Sequence, residues 1–546
     1  MNRKKAIYVG LVVAIAIISV IPINNITLGE KEKTDIVAVQ HKIIHPHGMA
    51  IKAEKLINFD EVASSSMLGN PIANSEDEEV SPAIESCSGE NFLVAYADQP
   101  DITTSNVVLV ISTDGGATWD PHPISPAAGN YETDPAIAYR ENGNMAVAAW
   151  GLDPTEYAAG HWLILLDDIT DSSTWTGGYY TWSESYNVFD WRNYTLAGYY
   201  SDSSPTFWGL MAFVGSVDDD NWDHAFNVPF IITDGTKWYG EGYVVATDIG
   251  NWTGCHTVDV AVDNDAKRGY MVCDFFNSTV GTYSLGVLSV PMETTWDDDA
   301  VWESTVIPSD FFLSYSRPDI SIGGGRYYIV CETNENGNND IACFSSTDGF
   351  QTVQKTLITS TPDDETDPHI VAYGDIAQCI FTRNGNLYET HTNDGGATWS
   401  EPQKINDMDG SVKAGWHSSD LTIGGNVVWT DMREGNADVY FANIGVPAPI
   451  INIEGISGGL GVKATISNTG TVAAENVPWS IDVSGGLVIL GKHAEGTIAS
   501  LPAGGSATIG TGFMLGIGKI TVDINVGGVT KEVSGFLLGP LVLGLK

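Results

Sequence analysis

The chain has 546 residues, with 69 Asp plus Glu against 25 Lys plus Arg, and a formal charge of −44. Between Lys55 and Lys237 the only cations are Arg140 and Arg192, which leaves no basic stripe to track a phosphate backbone and excludes a nucleic-acid partner. With 43% hydrophobic residues the chain can bury a large core, so the charge does not signify disorder, and the length exceeds one ordinary domain.

Arg3, Lys4 and Lys5 precede an uncharged, mostly apolar run of 18 residues, Ala6 to Ile23. This pattern predicts export, with the basic end held inside and everything downstream extracellular, at the cell surface. The run is longer than a signal core of ~7–15 residues and near the ~20 of a bilayer span, so residues 1–23 read as a cleaved signal or a retained membrane anchor. Residues 24–64 are polar and weakly patterned and read as a stalk.

A period of roughly 50 residues then recurs through most of the chain. "SPAIES" from Ser81, "DPAIAY" from Asp134, "SPTFWG" from Ser204, "TVDVAV" from Thr257, "RPDISI" from Arg317, "DPHIVA" from Asp367 and "SSDLTI" from Ser418 can be stacked. A β-branched and aromatic strand follows each: "FLVAYAD", "MAVAAWG", "LMAFVGS", "GYMVCDF", "YYIVCET", "AQCIFTR" and "NVVWTD". Short strands at this spacing predict an all-β, seven-bladed β-propeller over residues 65–446, with six blades the competing count. The seventh unit supplies only three strands before Pro447, and Leu56 to Phe59 is the expected fourth, closing the ring. Residues 447–546 change character, with a single tryptophan, Trp479, and six acidic against five basic side chains. They predict a small β-sandwich.

"STDGGATW" (Ser112 to Trp119) and "TNDGGATW" (Thr392 to Trp399) are near-identical copies, and "SSTDGFQTV" from Ser345 is a third, degraded one. Asp114 and Asp394 can bond nearby amides, Gly116 and Gly396 permit positive φ, Thr118 and Thr398 complete the turn, and Trp119 and Trp399 cover it. These stretches match the Asp box, so the chain resembles the Asp-box (BNR-repeat) sialidase-like propellers. That resemblance implies a structural role for Ser112, Asp114, Gly116, Thr118, Trp119, Thr392, Asp394, Gly396, Thr398 and Trp399, on the face opposite a catalytic centre. "SNTGTVAAENV" in the C-terminal region resembles CARDB-type immunoglobulin-like modules, which implies a spacer or adhesion role.

Aligning the units exposes an asymmetry. The position before the steady apolar residue changes from Ala83, Ala136 and Thr206 to Asp259, Asp319, His369 and Asp420. His256, Arg317, Asp367 and His417 stand on the segments leading into first strands, and Arg383, Asp431 and Arg433 on the loops joining strands 2 and 3. Unpaired burial of so many ionisable groups is costly, so this half-ring is the candidate ligand site, with ties between blades as the competing reading. No short ligand spacing supports a metal, and no cofactor is required, although Asp-rich loops at Asp218–Asp223 and Asp297–Asp299 leave Ca²⁺ open. The expected function is binding of a glycan or a surface protein. A sialidase-type hydrolase is the alternative, with Arg317, Arg383 and Arg433 as carboxylate clamp, and a structural cell-envelope protein is the second alternative. Its nucleophilic pair cannot be placed, and the family's Arg-Ile-Pro motif is missing. Six cysteines in an exported chain invite disulfides, Cys255 with Cys273, Cys331 with Cys343 and Cys87 with Cys379.

Overall fold

The computed structural model describes residues 40–44, 64–65 and 70–546, apart from connecting segments of which the longest is 293–302. The chain divides into two compact units, Met1–Gly445 and Val446–Lys546. Apart from one short 3₁₀ turn, Ser172–Thr174, every described element is a β-strand.

In the first unit consecutive strands pair antiparallel in groups of four, because each short β-branched run is followed by a turn that returns it beside its predecessor. Trp252–Asp263, Arg268–Asn277, Thr282–Pro291 and Glu303–Val306 form one sheet. Tyr315–Gly323, Arg326–Thr333, Asp340–Ser346 and Gln354–Leu357 form the next, and Glu365–Tyr373, Ile376–Arg383, Asn386–Thr392 and Gln403–Lys404 the one after. Upstream, the groups beginning at Glu78–Ser88 and Tyr131–Tyr139 are fused by one parallel pairing, Ser105 with Tyr131. The group beginning at Val188–Tyr199 gains extra strands at its outer side.

The last group is Ser419–Thr422, Asn426–Asp431, Asp438–Asn443 and, from far upstream, Asn70–Ala73. The edge of Asp438–Asn443 is therefore covered by a strand 11 positions later than the expected Leu56 to Phe59 begins to leave off, Phe59 to Asn70, and residues 56–59 lie outside those described. Pro71 is tolerated there because an outermost strand needs hydrogen bonds on one side only.

The third unit of the repeat also needs correction. "SPTFWG" and "LMAFVGS" do not make two strands: Phe207–Val217 is continuous, with Gly209 paired in register to Gly198 and Phe230. The first strand of that group is Val188–Tyr199, and Thr195, not Thr206, takes the position equivalent to Asp259.

Hydrophobic cores form between groups rather than within them. One joins the first group to the second through Leu93, Leu109, Ile137 and Val147, another the fifth to the sixth through Val330, Ile341, Ile370 and Phe381. The seventh meets the first through Val428, Val439 and Phe441 against Ile84, Val94 and Trp119.

The predicted disulfides are not formed. Cys255, Cys273, Cys331, Cys343 and Cys379 are buried free thiols. Register explains the middle pair: Cys343 faces Val330 while Cys331 faces Ala342, so the two sulfurs are offset by one residue and enter different cores. Cys255 and Cys273 share one core across a bulged register, unbonded. The side chain of Cys87 lies outside those described.

In the second unit, Ile451–Ser457, Lys463–Asn468 and Ser506–Gly510 make one sheet, and strands from Ala474–Ser484 to Leu541–Leu543 make another. Ala464, Ile466, Ile481, Val522 and Leu537 from both sheets share one core, so this unit is a β-sandwich.

Candidate functional site

The three Asp-box segments fold alike. In the first, Ser112 Oγ donates to Asp114 Oδ1 (3.0 Å) and accepts from Gly116 N (2.8 Å), while Asp114 accepts from Thr118 N (2.8 Å) and Thr118 Oγ1 (2.7 Å). Thr392, Asp394, Gly396 and Thr398 repeat it. So does the degraded copy, through Ser346, Asp348, Phe350 and Thr352. Each turn joins third and fourth strands, and aromatic side chains pack it on the neighbouring group: Trp119 on Phe441 and Phe350 on Tyr270, with Tyr327 of its own group also against Phe350. A Cβ on Gly116 would sit 2.4 Å from the Phe441 ring, so that glycine is demanded by packing as well as by its φ of 83°.

A cavity of about 350 Å³ is walled by the first strands of all seven groups. Its polar lining includes Asp259, Asp319, His369, Asp420 and His417, together with Thr195 and Glu85, which sequence reasoning did not single out. Arg317, Arg383, Asp367, His256, Asp431 and Arg433 do not line it.

The aspartates in the wall are latches between groups. Asp259 accepts from Ile320 N (2.7 Å), Asp319 from Ile370 N (2.8 Å), and Asp420 from Ile84 N (2.8 Å), each reaching the steady apolar residue of the following first strand. Thr195 Oγ1 donates to Asp259 at 2.5 Å. A second tier lies one turn outward: Asp274 accepts from Arg317 N (3.2 Å) and Glu332 from Asp367 N (3.1 Å). Those amides belong to bulges, where Ser81, Asp134, Arg317, Asp367 and His417 have φ of 48–57°, the left-handed region costly for residues other than glycine.

Burial pushes Glu85 up to about 7 and Asp420 up to about 6, and raises Asp259 well above the usual carboxylate range. Burial opposes a charge on His369, but its contacts with Asp319 (3.0 Å) and Asp367 (3.7 Å) prevail and hold its pKa well above normal. Burial lowers that of His417. The wall thus sets an imidazole whose charge Asp319 and Asp367 favour among carboxyls whose protonation burial favours.

At the end of the groups opposite the Asp boxes, His256, Tyr283 and Phe276 cluster, with ring centroids 4.9 Å and 5.0 Å apart. His256 is exposed, and Tyr283 lies in the fields of Asp274 and Arg317.

The three arginines of the expected carboxylate clamp are each committed elsewhere. Arg317 pairs with Glu332 (3.0 Å), Arg383 with buried Glu365 (3.3 Å), and Arg433 with Asp431 and Asp407 (both 2.8 Å). Arg383 and Arg433 also cover Tyr388 and Tyr440 at 4.1 Å.

Among the described residues no three His, Cys, Asp or Glu side chains are grouped to hold a metal ion. Both Asp-rich loops weighed for Ca²⁺ lie largely outside those residues. Asn277, the first residue of an Asn-Ser-Thr glycosylation pattern, is buried, and its amide oxygen accepts from Thr279 N.

No protein-family profile and no curated protein matches the chain. Among solved structures it is similar to Trypanosoma rangeli sialidase, at 11% identity over 87% of this chain and 89% of that one, TM-score 0.36. It is also similar to Penicillium chrysogenum α-L-arabinanase complexed with arabinobiose, at 12% over 70% and 99%, TM-score 0.41. Phage phi92 endosialidase is similar at 10% over 71% and 70%, TM-score 0.37. At these scores the likeness carries no weight in the reading of the site.

Proposed function

We propose that the protein is an exported, cell-surface seven-bladed β-propeller with an immunoglobulin-like C-terminal module, and that it binds a glycan or a surface protein. The ligand enters the axial cavity from the end opposite the Asp boxes. The observation that carries this reading is the cavity itself: about 350 Å³, walled by seven first strands, with His369, His417 and polar oxygens facing inward. The His256, Tyr283 and Phe276 cluster at that end offers aromatic surface against which a sugar ring can stack.

Hydrolysis is the second reading. Its support is the pair of carboxyls at about 6 and about 7, the range of a general acid. Against it, Asp420 already accepts from Ile84 N and Leu421 N, and Glu85 from Thr422 Oγ1 and Ser86 N. Binding therefore ranks first.

Glycan-array screening of the purified chain separates these readings. The expected outcome is retention of at least one glycan, weakened roughly tenfold or more, about 1.4 kcal/mol, by His417→Ala or Tyr283→Ala. Retention untouched by both substitutions would move the site elsewhere. Turnover of a fluorogenic glycoside that disappears in Glu85→Gln would replace binding with catalysis.

A further inference from the structure

The solvent face of the larger sheet in the C-terminal sandwich is apolar where a soluble module calls for polar side chains. Register sets Leu487 opposite Ile517, Ile517 opposite Leu538, and Leu538 opposite Leu541. Strand alternation turns all four outward, and they are 61, 55, 50 and 42% exposed. Phe536 opposite Leu543 adds a second row, and Ile489, Leu490 and Phe513 are exposed as well. The inward residues of the same strands, Ile520, Val522, Leu537 and Val542, are already buried in the sandwich core. At this end the sheet is therefore apolar on both faces, and only one has a partner within the unit's core.

We propose that this face receives a second copy of the chain, sheet against sheet. The exposed side chains present on the order of 900 Å² of surface, close to the roughly 800 Å² per partner of a stable interface and beyond the few hundred of an ordinary monomer. A flat face crossing several strands is self-complementary, since two sheets stack through interdigitated side chains about 10 Å apart. Charge favours contact through this unit rather than through the first. Residues 447–546 carry six acidic and five basic side chains, so they hold −1 of the −44. Asp482, Asp523 and Glu532 line up on the same outward face beyond the apolar rows, and Lys519, opposite Phe536, stands between them and Ile517. Two copies meeting here approach through the least repulsive part of a strongly acidic molecule.

The test is sedimentation velocity of the full chain across roughly two decades of concentration around its dissociation constant, with vesicle flotation in parallel. The wild type is expected to dimerise, and Ile517→Lys with Leu538→Lys to raise the dissociation constant roughly 100-fold. Ile517→Val with Leu538→Met should leave it within about threefold, since these swaps preserve apolar character and nearly preserve volume. Circular dichroism melts check that each variant is folded, and Leu541→Ser supplies a milder perturbation if the lysine pair is not. A monomeric wild type overturns the proposal. So does a dimer indifferent to all three variants, which would place assembly elsewhere, such as the apolar run near the N-terminus. Flotation with neutral phosphatidylcholine vesicles that is lost in the lysine pair, without dimerisation, would give the face to lipid instead.

Discussion

Asp420 shows how one residue's position decides between two readings of its chemistry. As a lone carboxylate on an inner strand it suggests a ligand contact, yet Ile84 N, 336 positions earlier, occupies one of its oxygens at 2.8 Å. Asp420→Ala removes the acceptor from that amide across the seam between the last and first groups, and should cost about 1–3 kcal/mol. Asp420→Asn, which keeps an acceptor, should cost less. Thermal unfolding of both variants checks this: an Asp420→Ala chain that melts like the wild type would mean the seam does not depend on the latch. The repeat alignment exposed Asp259, Asp319, His369 and Asp420 because the steady apolar neighbour marks their register in the sequence. Thr195 escaped because the repeat pattern divides "SPTFWG" from "LMAFVGS", although Gly209 sits paired inside the single strand Phe207–Val217. Glu332 and Asp274 escaped because they stand on second strands, away from the first-strand position that the steady apolar neighbour marks.

At the scale of elements, Asn70–Ala73 matters more than its four residues suggest. It covers the edge of Asp438–Asn443, with Ile72 and Ala73 against the core shared by Val428 and Phe441. A chain starting at Asn70 should melt close to the full-length protein. One starting at Glu76 should lose several degrees and aggregate, because it leaves a strand edge and an apolar seam open to other molecules. Equal stability of the two, measured by melting and light scattering, would show that this edge is closed by other residues. The need for a fourth strand from upstream was legible in the count of strands before Pro447. Which residues supply it was not, since Leu56 to Phe59 is as apolar as the strand that actually pairs. The Asp boxes were the most legible elements, because their hydrogen bonds run between residues two to four apart. Even the copy lacking both second glycine and tryptophan closes the same turn, with Phe350 at φ 66° filling the space between groups.

For the whole molecule, the carboxyls around the cavity predict an inverted pH dependence. Glu85 at about 7 and Asp420 at about 6 bind protons more tightly when folded than at the ordinary values of 4.5 and 3.8. Their contribution is fully present below about pH 4 and is lost as pH rises through 6 and 7. Asp114, held low by Thr118, and Asp407, held low by Arg433, act the other way, stabilising above about pH 3.8 and failing in stronger acid. Melting temperature should therefore peak near pH 4–5 and fall toward pH 8. Glu85→Gln with Asp420→Asn should flatten the fall on the alkaline side. If the slope persists in the double variant, Asp259 and His369, also held high, or repulsion within a chain of charge −44 supplies it rather than Glu85 and Asp420.

By itself the sequence determined most of the strands, their period, the Asp-box turns and the change of character near Pro447, because all of these depend on neighbours a few residues apart. Tertiary structure decided everything that joins distant segments. It bound the aspartates to the next group's amides, gave Arg317, Arg383 and Arg433 carboxylate partners, kept Cys331 and Cys343 apart by a one-residue offset, and left one sheet face of the sandwich apolar in water. Register and pairing across hundreds of residues set those outcomes, and a side chain's type does not carry that information.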